Sequence, residues 1–313
     1  MFRNQSNSIP CIKMHGTGNN FVIIDSRPTG NLDWDYKKIA EQNSCDQIIV
    51  MSHSNVADCF MHIYNADGSK AETCGNAARC VGYLIMSEKG TEYATIELTN
   101  KRILECFKAG DKSIKVNMGQ PLFKWHEIPL SIECDTLCLP IELGMIKAPV
   151  AVNIGNPHII FFVDNIDEIP FQDLAPKLEN HELFPQRTNV SIAQVEKSGE
   201  INLKVWERGT GITASCGSAA CATFVASVLR GYVSTKQTSV NLPSGQLLIE
   251  WINNRLPWKP IYGEKSLEEV QASTTEYSNV FEGRRQTSTA KLPSEIEFRK
   301  KSNVFMTGDI GFF

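Results

Sequence analysis

The sequence predicts an α/β chain made of two related halves, and three observations predict it. Cys74-Gly75-Asn76-Ala77-Ala78 recurs as Cys216-Gly217-Ser218-Ala219-Ala220. Gly18-Asn19 before the apolar run Phe21-Val22-Ile23-Ile24-Asp25 recurs, at nearly the same offset, as Gly155-Asn156 before Ile159-Ile160-Phe161-Phe162-Val163-Asp164. Strand-like, turn-like and helix-like patterns follow one another in the same order in both halves. A length of 313 residues also exceeds the usual single domain. The boundary is placed so that the halves are residues 1–130 and 131–313, because Pro121 to Pro149 carries several prolines and no long periodic segment.

In the first half, Ile12 to Met14 reads as a strand, His15-Gly16-Thr17-Gly18 as a turn and Phe21 to Ile24 as an apolar strand. A helix around Tyr36 to Asn43 leads to strands at Gln47 to Met51 and Phe60 to Tyr64, the latter broken by turn chemistry at Asn65-Ala66-Asp67-Gly68. A helix opens after Cys74, puts Ala77, Val81, Leu84 and Ile85 on one face, and stops at Gly90. Thr95 to Leu98, Arg102 to Phe107 and Ser113 to Asn117 read as a meander. The second half restarts with strands at Ala148 to Asn153 and Ile159 to Val163, a helix near Phe171 to Asn180, and strands at Asn189 to Val195 and Ile201 to Trp206. Glu207-Arg208-Gly209-Thr210-Gly211 precedes the helix that opens after Cys216 and stops at Gly231. Residues 259 to 300 are rich in Ser, Thr, Glu, Lys and Arg, the composition of a solvated insertion.

Composition narrows the function. A net charge of −4, with Lys and Arg scattered rather than striped, gives no footprint for nucleic acid. No stretch approaches the roughly 20 apolar residues that cross a bilayer, and the polar Met1 to Pro10 is no secretory signal, so a cytoplasmic protein is expected. The ten cysteines form no Cys-x-x-Cys pair, and Cys134 and Cys138 lack histidines at zinc spacing, so reduced thiols and no metal site are expected.

The chemistry lies in the duplicated cysteine. A helix start presents N–H groups that favour a thiolate or a bound carboxylate, and it can lower a thiol pKa from about 8.5 into the range of roughly 3.5 to 7.5. One such cysteine on each side of a carbon removes a proton from one face and supplies one to the other, which inverts the centre.

These phrases, with His15-Gly16-Thr17-Gly18-Asn19, Asn65-Ala66-Asp67-Gly68-Ser69, Gly155-Asn156-Pro157-His158 and Glu207-Arg208-Gly209, resemble the diaminopimelate epimerase family from residue 12 to residue 250. The resemblance implies an α/β (α+β) fold of two pseudosymmetric domains, each a mixed sheet wrapped around a central helix, with the active site in a cleft. It implies cofactor-free interconversion of LL- and meso-2,6-diaminopimelate by a homodimer acting on a small amino-acid substrate. Cys74 and Cys216 match the catalytic cysteines, while Gly75, Asn76, Gly217 and Ser218 match main-chain donors to the reacting carboxylate. His158 and Glu207 match residues near the reacting centre that support catalysis, Glu207 also pairing with the substrate ammonium. Asn19, Gln47, Asn65, Asn156, Asn189 and Arg208 match substrate-binding positions. Asn20 and Ile212 depart from the family pattern, where many members carry Asp and Glu. Val304-Phe305-Met306-Thr307-Gly308 resembles the family's penultimate strand.

Other readings stay open on the residues alone. A proline or hydroxyproline racemase also uses two thiols, but its substrates lack the distal amino acid group that Arg208 and the asparagines suit. Gly209-x-Gly211-x-x-Ala214 weakly suggests a nicotinamide or flavin enzyme, without an acid at the ribose position. A binding protein of the same fold or a redox module built on Cys74 and Cys216 would leave the proton chemistry unused.

Overall fold

The computed structural model describes residues 10–71, 73–252 and 302–313, so the polar stretch at 259–300 lies outside the described residues. The chain divides into two compact units, Met1–Val116 with Thr307–Phe313, and Asn117–Met306. The first carries β1 (Ile12–Gly16), β2 (Asn19–Asp25), α1 (Tyr36–Asn43), β3 (Gln47–Ser52), β4 (Cys59–Asn65), β5 (Lys70–Ala71), α2 (Gly75–Lys89), β6 (Tyr93–Leu98), β7 (Ile103–Lys108) and most of β8 (Ser113–Gly119). The second carries β9 (Glu142–Leu143), β10 (Ile146–Lys147), β11 (Val150–Asn153), β12 (Pro157–Phe162), α3 (Phe171–Glu179), β13 (Asn189–Val195), β14 (Ile201–Glu207), β15 (Gly211–Thr213), α4 (Gly217–Leu229), β16 (Gln237–Leu242) and β17 (Gly245–Ile252). The last strand, β18 (Asn303–Phe312), begins in the second unit and ends in the first.

The repeat read from the sequence is a repeat of topology. In the first unit β1 and β2 are antiparallel, β2 and β3 parallel, β3 and β4 antiparallel, β4 and β6 parallel, and β6 and β7 antiparallel. The second unit repeats this series through β11, β12, β13, β14, β16 and β17. Each parallel pair needs a crossover, which a helix supplies: α1 and α2 in one unit, α3 and α4 in the other.

The apolar runs are continuous because these strands are covered on both faces. Val22, Ile24, Ile48 and Val50 pack beneath Ile39 and Ala40 of α1. Phe21 and Ile23, pointing the opposite way by the two-residue period of a strand, are also fully buried. Helix α2 is buried along most of its length and contacts β1, β6 and β7; every residue of α4 is buried, against β11, β12, β13 and β17. A helix apolar on every side belongs at the centre of a core. The expected mixed sheet around a central helix is what each unit shows.

The unit boundary differs from the one read from the sequence. Residues 117–130 group with the second unit because Ile128 and Leu130 pack with Ile159, Phe161, Val190 and Ile192. Residues 307–313 join the first because Met14, His15 and Gly16 pair with Phe312, Gly311 and Ile310. On its other side Ile310 donates to the Lys112 carbonyl at 2.9 Å, next to β8. This closes the first unit's sheet on itself and leaves it no edge to protect. The segment resembling a penultimate strand is thus one ten-residue strand that serves both units.

Candidate active site

In the first unit the strand register brings Asn19, Gln47 and Asn65 to one end of adjacent strands. Asn19 opens β2, Gln47 opens β3 opposite Phe21, two residues along from Asn19, and Gln47 faces Asn65 at the end of β4. The Gln47 amide donates to Asn65 Oδ1 at 3.0 Å, and Asn65 Nδ2 donates to Ser69 Oγ at 3.1 Å across the Asn65–Gly68 turn. Asn19 Nδ2 donates to Asp46 at 3.0 Å, and the same carboxylate takes the Asn20 N–H at 2.7 Å. Asn20 thus bonds through its main chain, and Asp46 supplies a carboxylate beside the turn.

Cys74 is the N-cap of α2, with φ −149° and ψ 105°. Its Sγ accepts the Ala77 N–H at 3.5 Å and donates to Asn19 Oδ1 at 3.8 Å, so sequence-distant residues meet. Gly75 and Asn76 are the first two helical residues, positions whose N–H groups point out of the helix toward whatever caps it. The Asn76 side chain is turned the other way and accepts from Arg79 at 2.7 Å. Sequence reasoning missed Arg79. Although it is 0% exposed, its guanidinium also donates to Thr17 Oγ1 at 2.8 Å and to the Asp309 carbonyl at 3.1 Å. It ties the helix start to the Gly16–Gly18 turn and to β18. A Cβ on Gly16 would stand 2.8 Å from the Asn76 carbonyl, so only glycine lets this turn lie on the helix. The missed signal is a lone charge between Ala78 and Cys80 inside a buried run.

The second unit repeats the layout. Asn156 and His158 stand at the start of β12, His158 faces Asn189 at the start of β13, and Glu207 and Arg208 lie at the end of β14. Asn156 Oδ1 and His158 Nε2 are 2.9 Å apart. Burial, and then the Arg208 charge, pull the His158 pKa from 6.5 down to about 3, so the ring is neutral. Asn189 is 2% exposed and uses both ends of its amide inside the protein, donating to the Pro157 carbonyl at 2.7 Å and accepting the Arg208 N–H at 3.0 Å. Here it braces Arg208.

Cys216 is the N-cap of α4, with φ −137° and ψ 108°. The two cysteine caps therefore share one backbone conformation. Gly217 and Ser218 take the places of Gly75 and Asn76, and Ser218 Oγ lies 3.5 Å from the Cys216 thiol. Burial and then the Glu207 carboxylate hold the Cys216 pKa well above its usual value. Burial likewise raises Glu207, against hydrogen bonds from Thr213 and Cys216 that lower it. The Gly209–Gly211 turn joins antiparallel β14 and β15, not a strand to a helix, so it lacks the geometry of a dinucleotide loop. Ile212 sits half-exposed in β15.

No disulfide joins the cysteines among the described residues. Among the described residues no helix is long and apolar enough to cross a membrane.

The fold is shared with solved structures of low sequence identity. A PhzF-family phenazine biosynthesis protein from Bacillus anthracis superposes with a TM-score of 0.60 over 96% of each chain at 15% identity. A probable proline racemase from Agrobacterium radiobacter K84 gives 0.60 over 98% of this chain and 91% of that one at 11% identity. The diaminopimelate epimerase family model matches residues 11–124 and 150–264. A diaminopimelate epimerase from Wolbachia of Drosophila simulans is 78% identical over 79% of this chain and 95% of that relative. Another, from Rhizorhabdus wittichii, is 42% identical over 78% and 88%. This chain belongs to the diaminopimelate epimerase family.

Proposed function

We propose that the chain is a cofactor-independent isomerase that interconverts LL- and meso-2,6-diaminopimelate, a step toward lysine and peptidoglycan precursors. The observation that carries this reading is the pair of cysteines at two helix starts with matching cap geometry, in a chain whose relatives bear that enzyme's name.

One thiolate takes the α-proton. The electron pair left behind delocalises into the α-carboxylate, which the first-turn N–H groups of Gly75, Asn76, Gly217 and Ser218 stabilise, at about 2.7 to 4 kcal/mol per donor in comparable oxyanion sites. The other thiol gives its proton to the opposite face, leaving the centre inverted and the two sulfurs with exchanged charge. Burial and Glu207 keep Cys216 protonated, so Cys216 enters as the acid and Cys74 as the base, with the roles reversed in the return direction. His158, held neutral, contributes an uncharged imidazole beside the reacting centre. Glu207 pairs with the α-ammonium. Asn19, Gln47, Asn65 and Asn156 recognise the amino acid groups, and Arg208, braced by Asn189, takes the distal carboxylate. The enzyme works in the cytoplasm as a homodimer.

Incubating pure LL-diaminopimelate with the protein in heavy water, with no cofactor added, tests the reading. Meso product carrying one deuterium at the inverted carbon is expected. Inversion without solvent hydrogen, or no conversion beside rapid racemization of proline, overturns it.

A further inference from the structure

We propose that Glu179 is the positioning residue that presets Arg208 for the distal end of the substrate, an inference that rests on the function proposed above. Glu179 closes α3 and is 5% exposed. Its carboxylate accepts three donors: Arg187 Nη1 at 3.1 Å and the Gly209 N–H at 2.8 Å on Oε1, and Trp206 Nε1 at 2.7 Å on Oε2. Trp206 and Gly209 flank Glu207 and Arg208. Two of the three donors, the Trp206 indole and the Gly209 backbone N–H, therefore hold the residues on either side of the pair that meets the substrate.

The third donor fixes the loop that grips Arg208 from the other side. Arg187 sits at φ 60°, a left-handed conformation that costs energy for a residue with a side chain. Its bond to Glu179 holds that turn. The preceding residue, Gln186, offers its carbonyl to Arg208 Nη1 at 3.0 Å, and Asn189 takes the Arg208 N–H. A single buried carboxylate thus sets both the β14–β15 turn and the α3–β13 loop, and Arg208 is held where they meet. With one nitrogen spent on Gln186, the rest of the guanidinium fork is aimed before substrate arrives, which lowers the ordering cost of binding. Nothing links Glu179 to Cys216 or Ser218 by a hydrogen bond among the described residues, so its effect falls on binding rather than on proton transfer.

Glu179→Gln keeps the shape but turns an amide N–H toward either the indole N–H or the Gly209 N–H, two donors facing each other. For LL-diaminopimelate KM is expected to rise about 10-fold while kcat changes less than about 3-fold, the signature of lost uniform binding. An analogue with a methyl group in place of the distal carboxylate, already a poor substrate, should lose no further kcat/KM, because it makes no use of Arg208. Trp206→Phe and Arg187→Ala, which each delete one donor, serve if Glu179→Gln does not fold, and each should raise KM by roughly 2- to 5-fold. Wild-type turnover with KM unchanged in the folded variants, or equal losses on both substrates, overturns this inference and leaves the function standing. Absence of wild-type turnover overturns the function and this inference with it.

Discussion

The helix starts at Cys74 and Cys216 share a sequence phrase, a cap position and a backbone conformation, yet their surroundings differ in charge. Beneath the first lies a fully buried cation, Arg79, bonded to Asn76, Thr17 and the Asp309 carbonyl. At the corresponding place in α4 stands Cys221, uncharged and fully buried. Beside the second cysteine lies instead a carboxyl group, Glu207; burial and then the Glu207 charge raise that thiol's pKa well above its usual value. Cys74 is half-buried and bonded to Asn19, whereas Cys216 is buried and rests on Ser218. Duplication supplied two equal frames. The side chains around the two frames differ: a buried cation underlies the first, while burial and then the Glu207 carboxylate raise the pKa of the thiol in the second.

The sharpest way to break this comparison is to remove the sulfurs. Cys74→Ser and Cys216→Ser should each lower epimerisation by about 10²- to 10⁴-fold, the range for a lost proton carrier, as measured by conversion of LL-diaminopimelate. A variant that keeps full turnover would show that its thiol carries no proton. The next largest effect is on stability. Arg79→Met leaves three acceptors without their charged donor and should cost about 3 kcal/mol in urea unfolding, while Cys221→Ala in the other frame should cost about 1 kcal/mol. Equal costs would mean that the two helices are anchored alike.

His158 gives a smaller, pH-dependent contrast. Its folded pKa of about 3 lies below the ordinary 6.5, so as pH falls the unfolded chain takes up a proton that the folded chain refuses. Stability present above pH 6.5 is therefore lost between 6.5 and 3, by roughly 2 kcal/mol at pH 5. His158→Gln should flatten the slope of unfolding free energy over that window, and an unchanged slope would place the lost protons elsewhere. The finest test concerns Glu207→Gln. Removing the charge that raises Cys216 should lower that thiol's pKa and move the alkaline limb of kcat to lower pH in the direction that uses Cys216 as acid. A limb that moves upward or stays fixed would exclude Glu207 as the cause.

The sequence made the frames legible and left their furnishing obscure. The cysteine phrases, the Gly90 stop of α2 and the apolar runs speak through local chemistry, and α1 falls at Tyr36–Asn43 as the pattern predicts. Because α2 and α4 are buried all round, the single apolar face read for α2 understated its role; Arg79, inside that run, reads as a surface charge until the fold surrounds it. Asn189 reads as a ligand residue in one dimension, and its bonds to the Pro157 carbonyl and the Arg208 N–H become visible only in the fold. Glu179 carries no local mark at all, since its three donors come from two later places in the chain, Arg187 and the Trp206–Gly209 stretch. The boundary at 130 followed the prolines, whereas the partition follows the packing of Ile128 and Leu130 and the return of β18.

That return has a consequence for synthesis. Met14 pairs with Phe312, so the first unit's sheet joins residues 312 − 14 = 298 positions apart in the chain. At about 5 to 20 residues per second the ribosome needs roughly 15 to 60 s to travel between them. During that interval β1 and β8 emerge with open edges. The first unit's sheet can therefore be sealed only once β18 has been made.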